Sequence, residues 1–318
     1  MTPLWVGVDI GGTKVLAAVV DDQGRVVRSA TLRTPGRRVE VAVVEDTLVA
    51  AVREVAAGAP LRGVGIAAAG FVDAEGERVM FAPHLPWRGE RVRERLAARL
   101  QTPVELDNDA NCAALAEATY GAARGARLAV MITLGTGIGG AVLIEGRVLR
   151  GAHGMAGEFG HMQVVPDGAP CECGKRGCWE QYSSGNALVR HVQQGWGRGP
   201  TLLEEMTEGD VTRLTGPMIS QAAAAGDLVA KSAFASIGDW LGVGAANVAA
   251  ALDPEVIVVG GGVSAAGERL LEPARAALAR SLVGGDARPV PRLVPAESGP
   301  LSGAIGAAVL ARTPTLEQ

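Results

Sequence analysis

At 318 residues and a formal net charge of −4, the chain is long enough for two domains and lacks the basic face that nucleic-acid binding needs. Four cysteines are too few for a secreted disulfide scaffold, and the longest apolar run, Leu241 to Val263, is broken by Asp253-Pro254-Glu255 and is too polar to span a bilayer. With a strand expected from the first residues and no leader in front of it, the expectation is a cytoplasmic protein without membrane or nucleic-acid partner.

The elements follow in order. Trp5 to Ile10 reads as a buried strand, turned by Gly11-Gly12-Thr13-Lys14 into a second strand that ends at Val20. Gly24 turns the chain again into Arg25 to Leu32. Val39 to Ala57 has apolar residues at helical spacing, and Arg62 to Ala69 is a strand ending in Gly70. Glu90 to Leu100 predicts an amphipathic helix. Val104 to Leu106 predicts a short strand that feeds Asp107-Asn108-Asp109 and a helix from Ala110 to Tyr120. Leu128 to Leu134, the turn Gly135 to Gly140 and a strand from Ala141 to Ile144 then repeat the opening design, about 125 residues after it. Gln193 to Pro217, polar and Gly-rich, reads as a loop insertion. Val256 to Val259 leads through Gly260-Gly261-Gly262 to a helix from Ala265 to Leu282, and Ser302 to Leu310 closes the chain as a helix. The 44 glycines gather at strand ends, where a backbone turns sharply or approaches a ligand.

The most chemical segment runs from Cys171 to Glu180, with His161 ten residues upstream in Glu158-Phe-Gly-His161. Cys171, Cys173, Cys178 and His161 offer three thiols and an imidazole, a complete tetrahedral set for zinc. Closing that set pins Glu158 and Glu180 beside one metal, which suits a polar ligand held between them. Reduced buried thiols or disulfides are the alternatives, and a Cys-x-Cys pair is too short a loop for a direct bridge. Cys112 stands apart as a small core residue.

Asp9-x-Gly11-Gly12-Thr13-Lys14 lacks Walker A spacing, yet its amides, the Thr13 hydroxyl and the Lys14 charge suit a phosphate, and Asp9 suits magnesium held through water. An ordinary hairpin turn fits the same residues. Gly135-Thr136-Gly137 to Gly140 satisfies Gly-x-Gly-x-x-Gly, but a strand, not a helix, is expected after it. A second phosphate turn fits better than a dinucleotide fingerprint. Gly261 and Gly262 let a base or ribose lie against the backbone. Asp107-Asn108-Asp109 exceeds what helix capping needs, and a carboxylate there suits a general base that takes a proton from a hydroxyl attacking phosphorus.

Together these segments resemble the ROK family of sugar kinases and repressors, with the pattern of its actinobacterial-type, ATP-dependent glucokinases. The resemblance runs from Asp9 through Asp107 to Asn111, Leu134 to Gly140, Glu158 to His161, the cysteine cluster and Gly260 to Gly262. It implies an α/β, two-lobed actin-like ATPase (ribonuclease H-like) fold, each lobe a mixed sheet flanked by helices. A small lobe of residues 1–115, with the C-terminal helix of about 300–318 packed back on it, would precede a large lobe of 116–299 that carries the zinc loop. Asp109 would be the base for the 6-hydroxyl of glucose or a related hexose. Gly70, Asn108, Glu158, His161 and Glu180 would line the sugar. Asp9, Gly11, Gly12, Thr13, Lys14, Gly135, Thr136, Gly137, Gly261 and Gly262 would hold ATP and Mg2+. Cys171, Cys173, Cys178 and His161 would hold a structural Zn2+ in a homodimer or homotetramer.

Two departures bear on the choice of sugar. The loop Gly63 to Gly70 lacks a proline before its last glycine, and His84 stands where relatives often have Asn. A kinase for N-acetylglucosamine, N-acetylmannosamine, fructose or allose is the alternative, and a catalytically silent sugar sensor a more distant one. A repressor needs a helix-turn-helix for which Trp5 leaves no room. An NAD-linked oxidoreductase lacks the helix and the acidic residue its fingerprint requires.

Overall fold

The computed structural model describes residues 4–197 and 199–313. Its elements begin with β1 (Leu4–Ile10), β2 (Lys14–Val20), β3 (Val26–Arg33), α1 (Val41–Ala56), β4 (Leu61–Ala68), β5 (Phe71–Val72) and β6 (Val79–Phe81). They continue with α2 (Val92–Leu100), β7 (Val104–Asn108), α3 (Asp109–Tyr120), β8 (Leu128–Leu134), β9 (Ile138–Ile144) and β10 (Arg147–Val148). The remainder comprises α4 (Gly185–Gly195), α5 (Leu202–Met206), α6 (Gly216–Ala224), α7 (Leu228–Leu252), β11 (Val256–Gly260), α8 (Glu268–Ser281), β12 (Arg292–Pro295) and α9 (Ser302–Arg312).

The repeated design of the sequence becomes a repeated sheet plan. One five-stranded sheet has the order β3-β2-β1-β4-β7 and the other β10-β9-β8-β11-β12. In the first, β1, β2 and β3 form an antiparallel meander, and β4 and β7 join it in parallel. This is the mixed α/β architecture of an actin-like ATPase. The chain divides into two compact units, one of Met1–Met131, Ala141–Gly157 and Ala296–Gln318, the other of Ile132–Gly140 and Glu158–Pro295. The expected break after residue 115 instead falls inside α3, which is one continuous helix. Part of the expected closing helix, residues 314–318, lies outside the described residues, as do residues 1–3.

In the first unit the first sheet is apolar on both faces. Val15, Ala17 and Val19 of β2 join a core with Val44, Leu48 and Val52 of α1 and Leu96 of α2. Their neighbours Leu16, Ala18 and Val20 join a second core with Ala116 of α3 and Ala304, Ile305 and Ala308 of α9. Strand alternation therefore buries both sets. Helix α9 lies so near the sheet that a Cβ on Gly7 or Gly65 would come within 1.8 or 1.7 Å of the Ala304 and Ala307 carbonyl oxygens. A Cβ on Gly306 would come within 1.6 Å of the Cys112 carbonyl oxygen of α3. These glycines mark backbone-to-backbone contact. Cys112 is fully buried, a core residue as expected.

In the second unit α7 packs along α8, and its Gly238 and Gly242, one turn apart, meet the backbone of Leu270 and Ala274. Asp253, left-handed at φ 51°, ends α7, so the apolar run from Leu241 is a helix end followed by β11. Among the described residues no helix is long and apolar enough to cross a membrane. The segment expected as a loop insertion holds the short helix α5. Thr201 caps it, and Asp227, the cap of α7, accepts bonds from Thr201 Oγ1 and the Leu202 N–H at 2.8 and 2.7 Å. Five helical residues are too few to show a period, which hides α5 from pattern reading.

The contact of α9 with α3 gives a stability prediction. Gly306→Ala is expected to cost about 3 kcal/mol, because a carbonyl rather than a flexible side chain must move. Urea unfolding measures it, and an unchanged midpoint would remove this close approach as a constraint.

Candidate functional site

In the first unit the chemical residues gather where β7 enters α3. Asn108 is the N-cap: the Ala110 and Asn111 N–H groups donate to its Oδ1 at 2.8 and 3.3 Å. Its Nδ2 donates to the Gly70 carbonyl at 3.0 Å, which ties the end of the β4 loop to the helix start. Asn108 thus positions Gly70 as well as capping α3. Asp109, half-buried, is the first helical residue, and its Oδ1 accepts the Ala110 N–H at 2.9 Å. The amide-rich first turn of the helix favours its negative charge.

Asp107, by contrast, is 1 % exposed. Its Oδ1 accepts the Asn108 N–H and Asn111 Nδ2, both at 2.7 Å, and its Oδ2 lies 2.6 Å from the Arg150 Nη2. Arg150 escapes sequence reading: it belongs to the segment after β10, and no local pattern links it to Asp107.

The turn Gly11–Lys14 joins β1 to β2. The Gly11 N–H donates to the Lys14 carbonyl, and Thr34 braces the turn through its N–H to the Thr13 carbonyl and its Oγ1 to the Gly11 carbonyl. Thr13 and Lys14 are exposed beside a hollow of about 510 Å³ that Gly12, Thr13, Arg33 and Thr34 help to line. Gly12 is backed by His84, whose Cβ a side chain at position 12 would meet at 2.7 Å. Burial pushes the Asp9 carboxyl above its ordinary range, and the Lys14 charge opposes the shift.

In the second unit, Gly135 to Gly137 turns β8 directly into β9, which begins at Ile138. A strand stands where a dinucleotide fingerprint needs a helix, so that match fails. The Gly185 and Asn186 N–H groups, at the start of α4, donate to the Gly135 and Thr136 carbonyls. A cavity of about 880 Å³ opens here, with Gly135, Thr136, Asn186, Thr215, Ser220 and Gly262 on its wall. Gly135, Thr136 and Gly262 therefore share one space, large enough for a nucleotide. Gly261 (φ 83°) supports it from behind, since a Cβ there would meet the Leu134 carbonyl at 2.4 Å. Asn186, Thr215 and Ser220 escape sequence reading, although the Ser183-Ser184-Gly185-Asn186 run is a capping signal that announces a helix start. Gly137 turns away toward Glu180, whose Oε2 would lie 2.3 Å from an added Cβ.

The cysteine cluster closes as a knuckle. Gly174 and Gly177, at φ 85° and 76°, make its tight turns, and the Cys171 N–H donates to the Lys175 carbonyl. Cys173 and Cys178 Sγ are 3.6 Å apart, well beyond a disulfide bond, and Cys171 Sγ lies 3.8 Å from His161 Nδ1. The four donor atoms all lie within 4.8 Å of one another. Around tetrahedral zinc such atoms stand roughly 3.5–3.8 Å apart, the spacing of the Cys173–Cys178 and Cys171–His161 Nδ1 pairs, so the donor set suits that ion. Without a metal, burial pushes the Cys171 thiol up to about 12, whereas metal binding favours the thiolate.

Glu180 stands beside the cluster. Its Oε1 is 3.1 Å from Cys171 Sγ and 3.7 Å from His161 Nδ1, and its Oε2 receives the Ile138 N–H at 3.5 Å. Trp179, fully buried, anchors it. The indole Nε1 donates to the Trp240 carbonyl at 2.7 Å, and the ring fills the space that a Cβ on Gly244 would occupy. Burial pushes the Glu158 carboxyl above its ordinary range; His161 opposes this and Glu180 adds to it.

Comparison with known proteins gives the family. The ROK family pattern matches residues 5–314. The chain is 42% identical to the glucokinase of Streptomyces coelicolor over 314 residues, 98% of each chain. It is 34% identical to the glucokinase of Thermotoga maritima over 274 residues, 85% of each. A crystal structure of a ROK family glucokinase from Streptomyces griseus in complex with glucose and AMPPNP superposes with a TM-score of 0.89 at 43% identity, covering 98% of this chain and 100% of that one. The chain belongs to the ROK family.

Proposed function

We propose that this protein is a glucokinase that transfers the γ-phosphoryl group of ATP to the 6-hydroxyl of glucose. The full-length likeness to a glucokinase solved with glucose and an ATP analogue carries this reading. In it Asp109 takes the hydroxyl proton as the oxygen attacks phosphorus. Gly70, Asn108, Glu158, His161 Nε2 and Glu180 are partners for the sugar. Phosphoryl transfer needs positioning and charge neutralisation more than covalent help, and the residues supply those.

The donor is held by Gly11, Gly12, Thr13 and Lys14 and by Gly135, Thr136 and Gly137, with Gly261 and Gly262 at the adenosine; the 880 Å³ cavity supports the placement of the base. Mg2+, when bound, neutralises phosphate charge, and Asp9 holds it through water. Zn2+ on His161, Cys171, Cys173 and Cys178 is structural: four protein ligands leave no open position, and the metal stiffens the loops that bear Glu158 and Glu180. The three reduced thiols suit the cytoplasm. The resemblance further implies a homodimer or homotetramer.

A coupled assay with ATP and Mg2+ across glucose, N-acetylglucosamine, N-acetylmannosamine, mannose and fructose tests the substrate, with glucose expected to give the highest kcat/KM. Preference for another sugar would keep the kinase and move the specificity to the Gly70 and His84 loops. Asp109→Asn is expected to lower kcat by about 10³-fold or more while calorimetry still records glucose binding. Turnover near wild type would take the base role from Asp109. Cys173→Ala is expected to lose zinc and activity together, measured by metal analysis beside the assay; a metal-free, fully active variant would overturn the supporting role of the metal.

A further inference from the structure

Arg150 and Asp107 form an ion pair inside the first unit, with side chains 11% and 2% exposed. The contact is one of charge rather than an aligned hydrogen bond, and Arg150 Nε is buried with no acceptor among the described residues. The Arg150 backbone is also fixed. Its carbonyl accepts the Ala156 N–H at 3.0 Å, and within the loop so closed Gly154 packs on the backbone of Val72 and Asp73. The guanidinium is therefore presented to Asp107 from a braced loop.

Such a pair is poor value for folding alone, because apolar residues of similar volume often stabilise as well or better. Its location is what matters. Asp107 Oδ1 is the acceptor for both the Asn108 N–H and Asn111 Nδ2, so the orientation of that one carboxylate sets the turn containing Asn108 and Asp109. Arg150 occupies the other oxygen and removes the freedom to rotate. The charges around Cys112 have the same arrangement. Burial, then Asp107, Asp9 and Asp109, push its thiol up, and Arg150 acts in the opposite sense.

We propose that Arg150 is a positioning residue for phosphoryl transfer: by locking the Asp107 carboxylate it holds the Asn108–Asp109 turn in the geometry that aims the Asp109 carboxylate at the attacking hydroxyl. The proposal rests on the reading of Asp109 as general base. Arg150 touches neither sugar nor nucleotide in this role. Its signature is a loss in kcat that outweighs any rise in KM, because Asn108 of the same turn shares sugar binding with several other residues while the aim of Asp109 counts in the transition state.

Steady-state kinetics of two variants, with thermal unfolding alongside, test it. Arg150→Lys keeps the charge and is expected to retain kcat within roughly threefold of wild type. Asp107→Asn combined with Arg150→Met removes both charges, so no unpaired ion is left to unfold the protein. It is expected to fold with a glucose KM within about twofold of wild type and a kcat at least roughly tenfold lower. If that double variant folds with wild-type kcat, or if it does not fold, the pair is a structural element only and the proposal is overturned. Asp109→Asn measured in parallel separates the two ideas. Activity in Asp109→Asn sinks the base itself, whereas an inactive Asp109→Asn beside a fully active double variant sinks only the role of Arg150.

Discussion

Backbone packed on backbone is the constraint from which the first unit is built. Helix α9 rests on β1 and β4 where Gly7 and Gly65 have no side chain, and its own Gly306 rests on the Cys112 carbonyl of α3. These contacts leave almost no adjustable atoms between helix and sheet, so the position of α3 follows from the sheet. The chemical consequence lies at the start of that helix. Asn108 and Asp109 inherit their place from α3, and Asn108 passes it on to Gly70 through one hydrogen bond from its Nδ2 to the Gly70 carbonyl. Glu117, fully buried on the same helix, accepts the Glu297 and Ser298 N–H groups just before α9, so the two helices are tied at that end too.

The second unit reaches rigidity by another route. Its cysteine knuckle is short in hydrophobic mass, and its shape comes from turns that only glycine adopts easily. Trp179 joins that knuckle to the long α7 helix by filling the notch at Gly244. Glu180 follows at once in the chain and divides its two oxygens between the cysteine cluster and the Gly137–Ile138 turn. One carboxylate thus couples a candidate metal site to a candidate phosphate turn, and a loosened knuckle would be felt at both.

Much of this was legible in the sequence, for identifiable reasons. The strand-turn-strand repeat, the capping run at Asp107 and the cysteine spacing are local signals with fixed periods or residue types, and each appears where expected. Helix α5 was hidden because five residues show no period. The break expected after residue 115 failed because unit boundaries follow packing, and α3 is held by α9 from the far end of the chain. Arg150, Asn186, Thr215 and Ser220 share a different cause: each reaches its place through tertiary folding, and nothing beside it in the chain marks the partner it will meet.

The structure also separates two carboxylates that look alike on paper. Asp107 and Asp109 stand two positions apart in one turn, and either could be written as a base. Asp107 is almost wholly buried, and both its oxygens are committed, one to the turn amides and one to Arg150. A carboxylate so engaged would break its own support by accepting a proton. Asp109 is half-buried at the first turn of α3, and its bond to the Ala110 N–H uses Oδ1. It is not enclosed as Asp107 is, which suits the general-base role proposed for it. The two differ in environment: the inner carboxylate is committed to the turn, and the outer one is the carboxylate to which we assign the proton transfer.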